Sequence, residues 1–260
     1  RYVLFDQSSD NMRSTHKRVH WAKKLRDAID DDRLVLFSQP VVRLSDQKPV
    51  HHEILLRIRD DDGKIIMPGF IDSHIHYPQT DIIGSPAPGL LPWLEQYTFP
   101  AERRFQDRHH AGEVAEFFLN ELLRCGTTTA MVYCTVHPES VDAFFEASSS
   151  RNLRMIAGKV LMDRNCPEFL RDTAEGGIRD SEALIQKWHN KGRQLYAITP
   201  RFAPTSSEAQ MQLAGELACT YPDTFIQTHV AENRDECAWA KSLFPQARSY
   251  LDIYDRDRKS

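Results

Sequence analysis

His74-Ile75-His76 follows directly on an apolar run, Ile65 to Ile71. On extended backbone an i, i+2 spacing turns both imidazoles to one face, about 7 Å apart along the chain, and that suits two ligands of one metal ion. A second cluster, Thr228-His229-Val230-Ala231-Glu232, sits at the end of another strand-like run. There a third imidazole can join the first two, while Glu232 stands close enough to move protons without being a ligand. Taken singly, each cluster has a plain explanation: two polar histidines in a loop, and a glutamate that favours a helix N-terminus. Taken together they point to one place, because α/β folds gather their active sites at the carboxyl ends of the strands. Three nitrogens with an open position describe a catalytic zinc or similar divalent ion, which lowers the pKa of bound water to about 7. A carboxylate beside that water takes its proton and delivers it to a leaving group. The chemistry read from the residues is metal-assisted hydrolysis.

The elements that must hold these groups alternate along the chain. After Ile65 to Ile71 come a helix marked by Val114, Phe117, Phe118, Leu122 and Cys125 and closed by Gly126, then a strand from Thr127 to Val136. A helix with Val141, Phe144 and Phe145 on one side leads to a third strand, Leu153 to Leu161. Ser181 to His189 reads as helix, Leu195 to Thr199 as strand, Met211 to Leu217 as helix and Phe225 to Val230 as a fifth strand. Strands alternating with helical patterns of 10 to 15 residues define an α/β fold with a parallel sheet, open or closed into a barrel. No G-x-G-x-x-G follows the first strand, which argues against dinucleotide binding.

Residues 1 to about 65 have another texture, with basic side chains beside two Asp clusters. Val19, Leu25 and Ile29 have loose helical spacing, Leu34 to Phe37 and Ile54 to Ile58 read as strands, and Asp62-Gly63 signals a turn. A chain of 260 residues with 41% hydrophobic and 10% aromatic content can build a core. Its net charge of −4 and pI near 6.3 give no basic excess for nucleic acid or anionic lipid. No apolar run approaches a membrane span and the N-terminus lacks a long apolar leader, so the chain reads as soluble and cytoplasmic. Cys125, Cys134, Cys166, Cys219 and Cys237 include no C-x-x-C pair and read as buried thiols rather than zinc ligands.

The string Met67-Pro68-Gly69-Phe70-Ile71-Asp72-Ser73-His74-Ile75-His76 resembles the start of the barrel in the amidohydrolases. Tyr77-Pro78-Gln79-Thr80-Asp81, Tyr97-Thr98-Phe99-Pro100-Ala101-Glu102, Gly126-Thr127-Thr128-Thr129 and Gly158 to Asp163 resemble the guanine deaminase family among them. Thr199 to Pro204 and Thr228 to Asn233 do so as well, and the likeness is nearly continuous from about Ile65 to Asp255. The charge balance and short apolar runs imply no nucleic-acid or membrane partner. The resemblance implies a (β/α)8 TIM-type barrel that hydrolyses guanine to xanthine and ammonia with one bound zinc ion, as a homodimer. It matches His74, His76 and His229 to the metal-binding histidines and Glu232 to the proton shuttle. Gln79 and Arg201 match the purine-contacting residues, an amide and a fixed cationic fork suited to O6 and the ring nitrogens. Trp93, in the segment that resembles the lid, is placed to stack on the base. Arg201 on its own reads as a surface ion-pair partner, and His109-His110 and His137 read as solvated loop residues.

The same resemblance leaves the barrel incomplete. The family pattern continues to a sixth strand with another active-site histidine and an eighth with a metal-binding aspartate, whereas this sequence runs to Ser260 with about five βα units. Residues 1–64 resemble instead the opening of an EAL domain, of the family that hydrolyses cyclic di-GMP. Trp21 to Leu25, Phe37 to Val42 and Glu53-Ile54-Leu55-Leu56-Arg57 carry that likeness, and residues 1–12 resemble the tail of a GGDEF-type domain. Glu53 matches the signature Glu that binds metal in that family but makes no site alone, because the later EAL ligands and base are absent. The expected organisation is therefore an EAL-like fragment over 1–64 fused near Gly63 to Ile71 to an amidohydrolase barrel over 65–260. An EAL-type signalling fragment and an inactive α/β scaffold are the alternative functions.

Overall fold

The computed structural model describes residues 11–42, 48–59 and 65–256, in two compact units, Arg1–Gly69 and Phe70–Ser260. Residues 1–10, the turn read at Asp62-Gly63 and Asp257 to Ser260 lie outside the described residues.

The first unit holds helix α1 (Asn11–Asp30) and an antiparallel sheet of β1 (Leu34–Val42), β2 (Pro49–Arg59) and β3 (Ile65–Ile66). Leu34 pairs with Ile58 and the register runs to Val41 opposite His51, with an irregularity at Val42. Arg33 closes the link from α1, its N–H reaching the Ala28 carbonyl past Asp32 in the left-handed region. Ala28 is buried here, while Leu25, Ile29, Leu36, Phe37 and Leu56 are exposed.

The second unit is the α/β part. The sequence reading has a single strand over Ile65 to Ile71; the structure has two, because Pro68 lacks an amide donor and Pro68-Gly69 interrupts the run. Ile65–Ile66 pair with β2, and β4 (Phe70–His76) starts a separate parallel sheet. Past the short helices α2 (Leu90–Trp93) and α3 (Phe99–Arg103) and the long α4 (Arg108–Arg124) comes β5 (Thr127–Tyr133). There follow α5 (Pro138–Ser150), β6 (Arg154–Gly158), β7 (Val160–Leu161), α6 (Ala174–Trp188), β8 (Leu195–Pro200), α7 (Glu208–Thr220), β9 (Phe225–Ile226), α8 (Arg234–Leu243) and α9 (Tyr250–Arg256). The strand order is β4-β5-β6-β8, with β7 continuing β6 beside β8 and β9 also pairing with β8, all parallel. This is a parallel arrangement of successive βα units, consistent with part of a TIM barrel.

One face of the inner strands is fully buried beneath the helices: Ala130, Val132, Met155, Ala157, Tyr196 and Ile198, alternate residues in register, have no exposure. Helix α4 covers them with Ala111, Val114, Ala115, Phe118, Leu119 and Leu122, spaced three and four apart. Phe117, read from the sequence as part of that stripe, falls between its rows and is exposed. Asp107 caps the start of α4 by accepting the His109 N–H, and Gly126 at φ +86° lets the chain turn into β5. Gly158 is forced by proximity: a Cβ there would lie 1.7 Å from the Ala197 carbonyl oxygen on β8. His109 and His110 stand in the first turn of α4 rather than in a loop, His109 with its side chain solvated and His110 against Arg104 and the Phe105 ring, whereas His137 lies in the loop before α5 and is partly buried.

Candidate metal centre

β4 delivers His74 and His76 at its carboxyl end, with the His74 N–H donating to Asp72. His229 comes from beyond β9, where Phe202 and His229 form an isolated parallel bridge. Arg201 sets its position twice: the Arg201 carbonyl accepts the His229 backbone N–H at 3.0 Å and lies 2.7 Å from His229 Nδ1. If Nδ1 donates there, as the contact requires, Nε2 is left with its lone pair. The ligand atoms of His74, His76 and His229 all lie within 4.8 Å of one another, the one such group among the described residues. His76 Nε2 is 3.0 Å from His229 Nε2, and His76 Nδ1 is buried without a partner. Tyr133, at the end of β5, underlies the cluster: its ring stacks on His76 at 4.4 Å and lies 5.0 Å from His74 and 4.5 Å from His229.

Burial holds His76 well below the ordinary imidazole range, and the charges of His229, Arg201 and His74 add to it. Burial likewise takes His229 down to about 3, against its bond to the Arg201 carbonyl and with the Arg201 and His74 charges. Neutral imidazoles that converge, one with an orphaned nitrogen, are the donor set a divalent cation of the zinc type takes.

Glu232 follows Ala231, which is held at φ +58°, and its Oε1 lies 3.8 Å from His229 Nε2. Partial burial raises its pKa first and the neighbouring Glu236 raises it further, with His74 and Arg201 opposing. Glu236 is fully buried and completes a capping box on α8: Asn233 accepts its N–H at 2.8 Å, and its own carboxylate accepts the N–H of Glu232 at 2.7 Å and of Asn233 at 3.3 Å. The pattern Asn233-x-x-Glu236 is visible in the sequence and would have found it.

Gln79 lies in the short 3-10 turn Tyr77–Ile82 that leaves β4, and its amide bonds to no described residue. Arg201, matched by resemblance to a purine contact, is not the surface ion-pair partner that the residue on its own suggests. It is 3% exposed, and its Nη1 donates to both oxygens of the fully buried Glu102 on α3, at 2.9 and 2.7 Å. Its guanidinium stands 5.4 Å from the Phe99 ring centre. Nε and Nη2 have no partner among the described residues. Trp93 ends α2. These groups meet: His74, His76, Gln79, Trp93, Arg201, His229, Glu232 and Glu236 line one cavity of about 230 Å³, with Leu90, Leu94 and Phe202 as its apolar wall.

Other sequence readings fare differently. Cys134 is buried, but Cys125, the C-cap of α4, and Cys219, on the outer face of α7, are exposed, while Cys166 and Cys237 are intermediate. Glu53 pairs with Gln39 within the β1–β2 ladder; its side chain lies outside the described residues. No described helix is long and apolar enough to cross a membrane.

The profile of the amidohydrolase family matches residues 65–257, and the chain belongs to that metal-dependent family. Within it, the chain is similar to guanine deaminases: it is 53% identical to the enzyme of Escherichia coli (strain K12) over 228 residues, 87% of this chain and 52% of that protein. The solved E. coli guanine deaminase superposes with a TM-score of 0.73 at 46% identity, covering 86% of this chain and 60% of that one. A guanine deaminase from C. acetobutylicum, solved with guanine in its active site, gives 0.70 at 28% identity over 87% of this chain and 59% of its own. The chain spans about half the length of the curated relatives it matches. An alignment over 87% of the chain reaches into the residues before Ile65 and runs across Gly63 to Ile71. The fusion read at that place, and with it the EAL origin of residues 1–64, therefore gains no support.

Proposed function

We propose that the chain carries out, or contributes the core of, the hydrolysis of guanine to xanthine and ammonia. The observation that carries this reading is the convergence, in one cavity, of three imidazoles, the carboxylate of Glu232 and the polar side chains of Gln79 and Arg201. His74, His76 and His229 would hold a single zinc ion, which when bound supplies a water of near-neutral pKa and polarises the atom under attack. Gln79 offers both a donor and an acceptor to the base edge, and Arg201, its other face fixed by Glu102, offers N–H donors. Trp93, Leu90 and Phe202 supply apolar contact to the ring. Glu232 removes a proton from the attacking water as oxygen bonds to C2. It then returns that proton to the exocyclic nitrogen, so that the C2–N bond breaks with ammonia leaving. Its raised pKa suits a group that must both accept and give a proton near neutrality. Purine catabolism in the cytoplasm, by a homodimer, is the setting this reading implies.

The test is zinc content and ammonia release from guanine on purified chain supplied with zinc. Glu232→Gln should keep its zinc and lose turnover by about 10²–10⁴-fold, the contribution of a positioned acid–base group. Retained turnover removes Glu232 from its role; folded chain with neither zinc nor ammonia overturns the reading as a whole.

A further inference from the structure

Helix α9 contributes no group to the catalytic constellation, yet its two tyrosines hold both segments that carry it. Tyr250 and Tyr254 are four residues apart and share a face, their ring centres 6.1 Å from each other. Tyr254 Oη donates to the His229 carbonyl at 2.9 Å and accepts the Ala203 N–H at 2.8 Å, with Thr228 Oγ1 at 3.2 Å. A single phenol thus ties the chain leaving β8, two residues past Arg201, to the chain leaving β9 at the metal-site histidine. Tyr250 Oη donates to Glu236 Oε1 at 2.5 Å, and the other oxygen of Glu236 receives the Glu232 N–H. The helix itself is seated by Ile253, 4% exposed and packed with Ala203, Met211, Ala240 and Phe244. Its start is pinned by Asp252, whose carboxylate accepts from the backbone and the guanidinium of Arg248.

We propose that α9 is a positioning clamp in which Tyr254 sets the main chain at His229 and Tyr250, through Glu236, sets Glu232. Neither tyrosine touches substrate; both are positioning residues. The proposal rests on the reading of the site as a metal-dependent deaminase only for its kinetic consequence. Its geometric content, that α9 orders the segment 228–233, stands apart from that reading.

The experiment compares Tyr254→Phe and Tyr250→Phe with Tyr221→Phe in the full chain. Tyr221 has the same ring but serves Gln186 and Glu182, away from the cavity. Zinc affinity by chelator competition should fall about tenfold or more in Tyr254→Phe and stay level in Tyr250→Phe, the scale expected when a partner behind a ligand is lost. Tyr250→Phe should lower kcat for guanine about tenfold with KM unchanged. Hydrogen exchange at the Glu232 and Asn233 amides should quicken in Tyr250→Phe and not in Tyr221→Phe. Wild-type zinc affinity in Tyr254→Phe together with wild-type exchange in Tyr250→Phe overturns the clamp. So does an equal effect of Tyr221→Phe, which would mark a general loss of stability. If the unaltered chain releases no ammonia, the deaminase reading fails, while the exchange and zinc measurements still decide the clamp.

Discussion

Replacing Glu102 by alanine should be among the most damaging single changes outside the histidine cluster. The Arg201–Glu102 pair is 3% and 0% exposed, so neither charge can turn to water when its partner is removed. Breaking such a pair costs about 3–5 kcal/mol, because the survivor remains a buried, uncompensated charge. The Phe99 ring, 5.4 Å from the guanidinium, returns about 2 kcal/mol at best and already does so in the intact protein. A loss of about 4 kcal/mol is roughly a thousandfold change in the folded-to-unfolded ratio, a large part of the stability of an ordinary domain. Urea unfolding followed by circular dichroism reads it as a fall in midpoint. The decisive comparison is the double variant Glu102→Leu/Arg201→Leu, which removes both charges and should unfold later than Glu102→Leu alone. If Glu102→Ala costs under about 1 kcal/mol, or the double variant costs the sum of the two single ones, the pair is not a desolvated unit and the argument fails.

Gly158→Ala should displace β6 from β8, since the added carbon would sit 1.7 Å from the Ala197 oxygen; a loss of about 3 kcal/mol or more is expected in the same urea assay, and wild-type stability would contradict the close approach. Among the cysteines, brief alkylation of folded protein at pH 8 should label exposed Cys125 and Cys219 and spare Cys166 and Cys134, as mass spectrometry of the peptides would show. Burial pushes the Cys166 thiol up to about 11, so its reactive thiolate grows only as the pH climbs toward that value; equal labelling at pH 8 would refute the burial.

The parts of the site legible in the sequence are those whose position follows from a strand. His74 and His76 share a face because β-strand period is two, and His229 falls at the end of the strand read over Phe225 to Val230, although β9 itself ends at Ile226 and His229 makes only an isolated bridge beyond it. Read on its own, Arg201 looks like a surface ion-pair partner, whereas the family resemblance makes it a purine contact; its burial against Glu102 is what sequence spacing does not show. Its partner Glu102 lies 99 residues earlier on a five-residue helix, and spacing along the chain carries no signal of pairing through space. Glu236 differs, since its capping box is local and could have been read. The strand at Ile65 to Ile71 was overextended because apolar character continues through Pro68-Gly69 while the hydrogen-bonding capacity does not. Tyr133 gives no hint of itself, being one aromatic residue at the end of an apolar strand.

Among the described residues β4 pairs only with β5, and β9 only with β8, so the strand that bears His74 and His76 and the strand that leads to His229 stand at opposite ends of the sheet order. Even so, His76 and His229, 153 residues apart, bring their Nε2 atoms to 3.0 Å. A contact that distant in sequence comes late in folding, since chain entropy is spent on the intervening loops before it forms. The neighbouring pairs β4–β5, joined through α2, α3 and α4, and β5–β6, joined through α5 alone, close shorter loops and can assemble first. The histidine cluster is then a record of completed folding: spectroscopic or metal-uptake signals from it should lag the appearance of helix and sheet, and a chain that has reached only its early pairings would carry every ligand and still have no site.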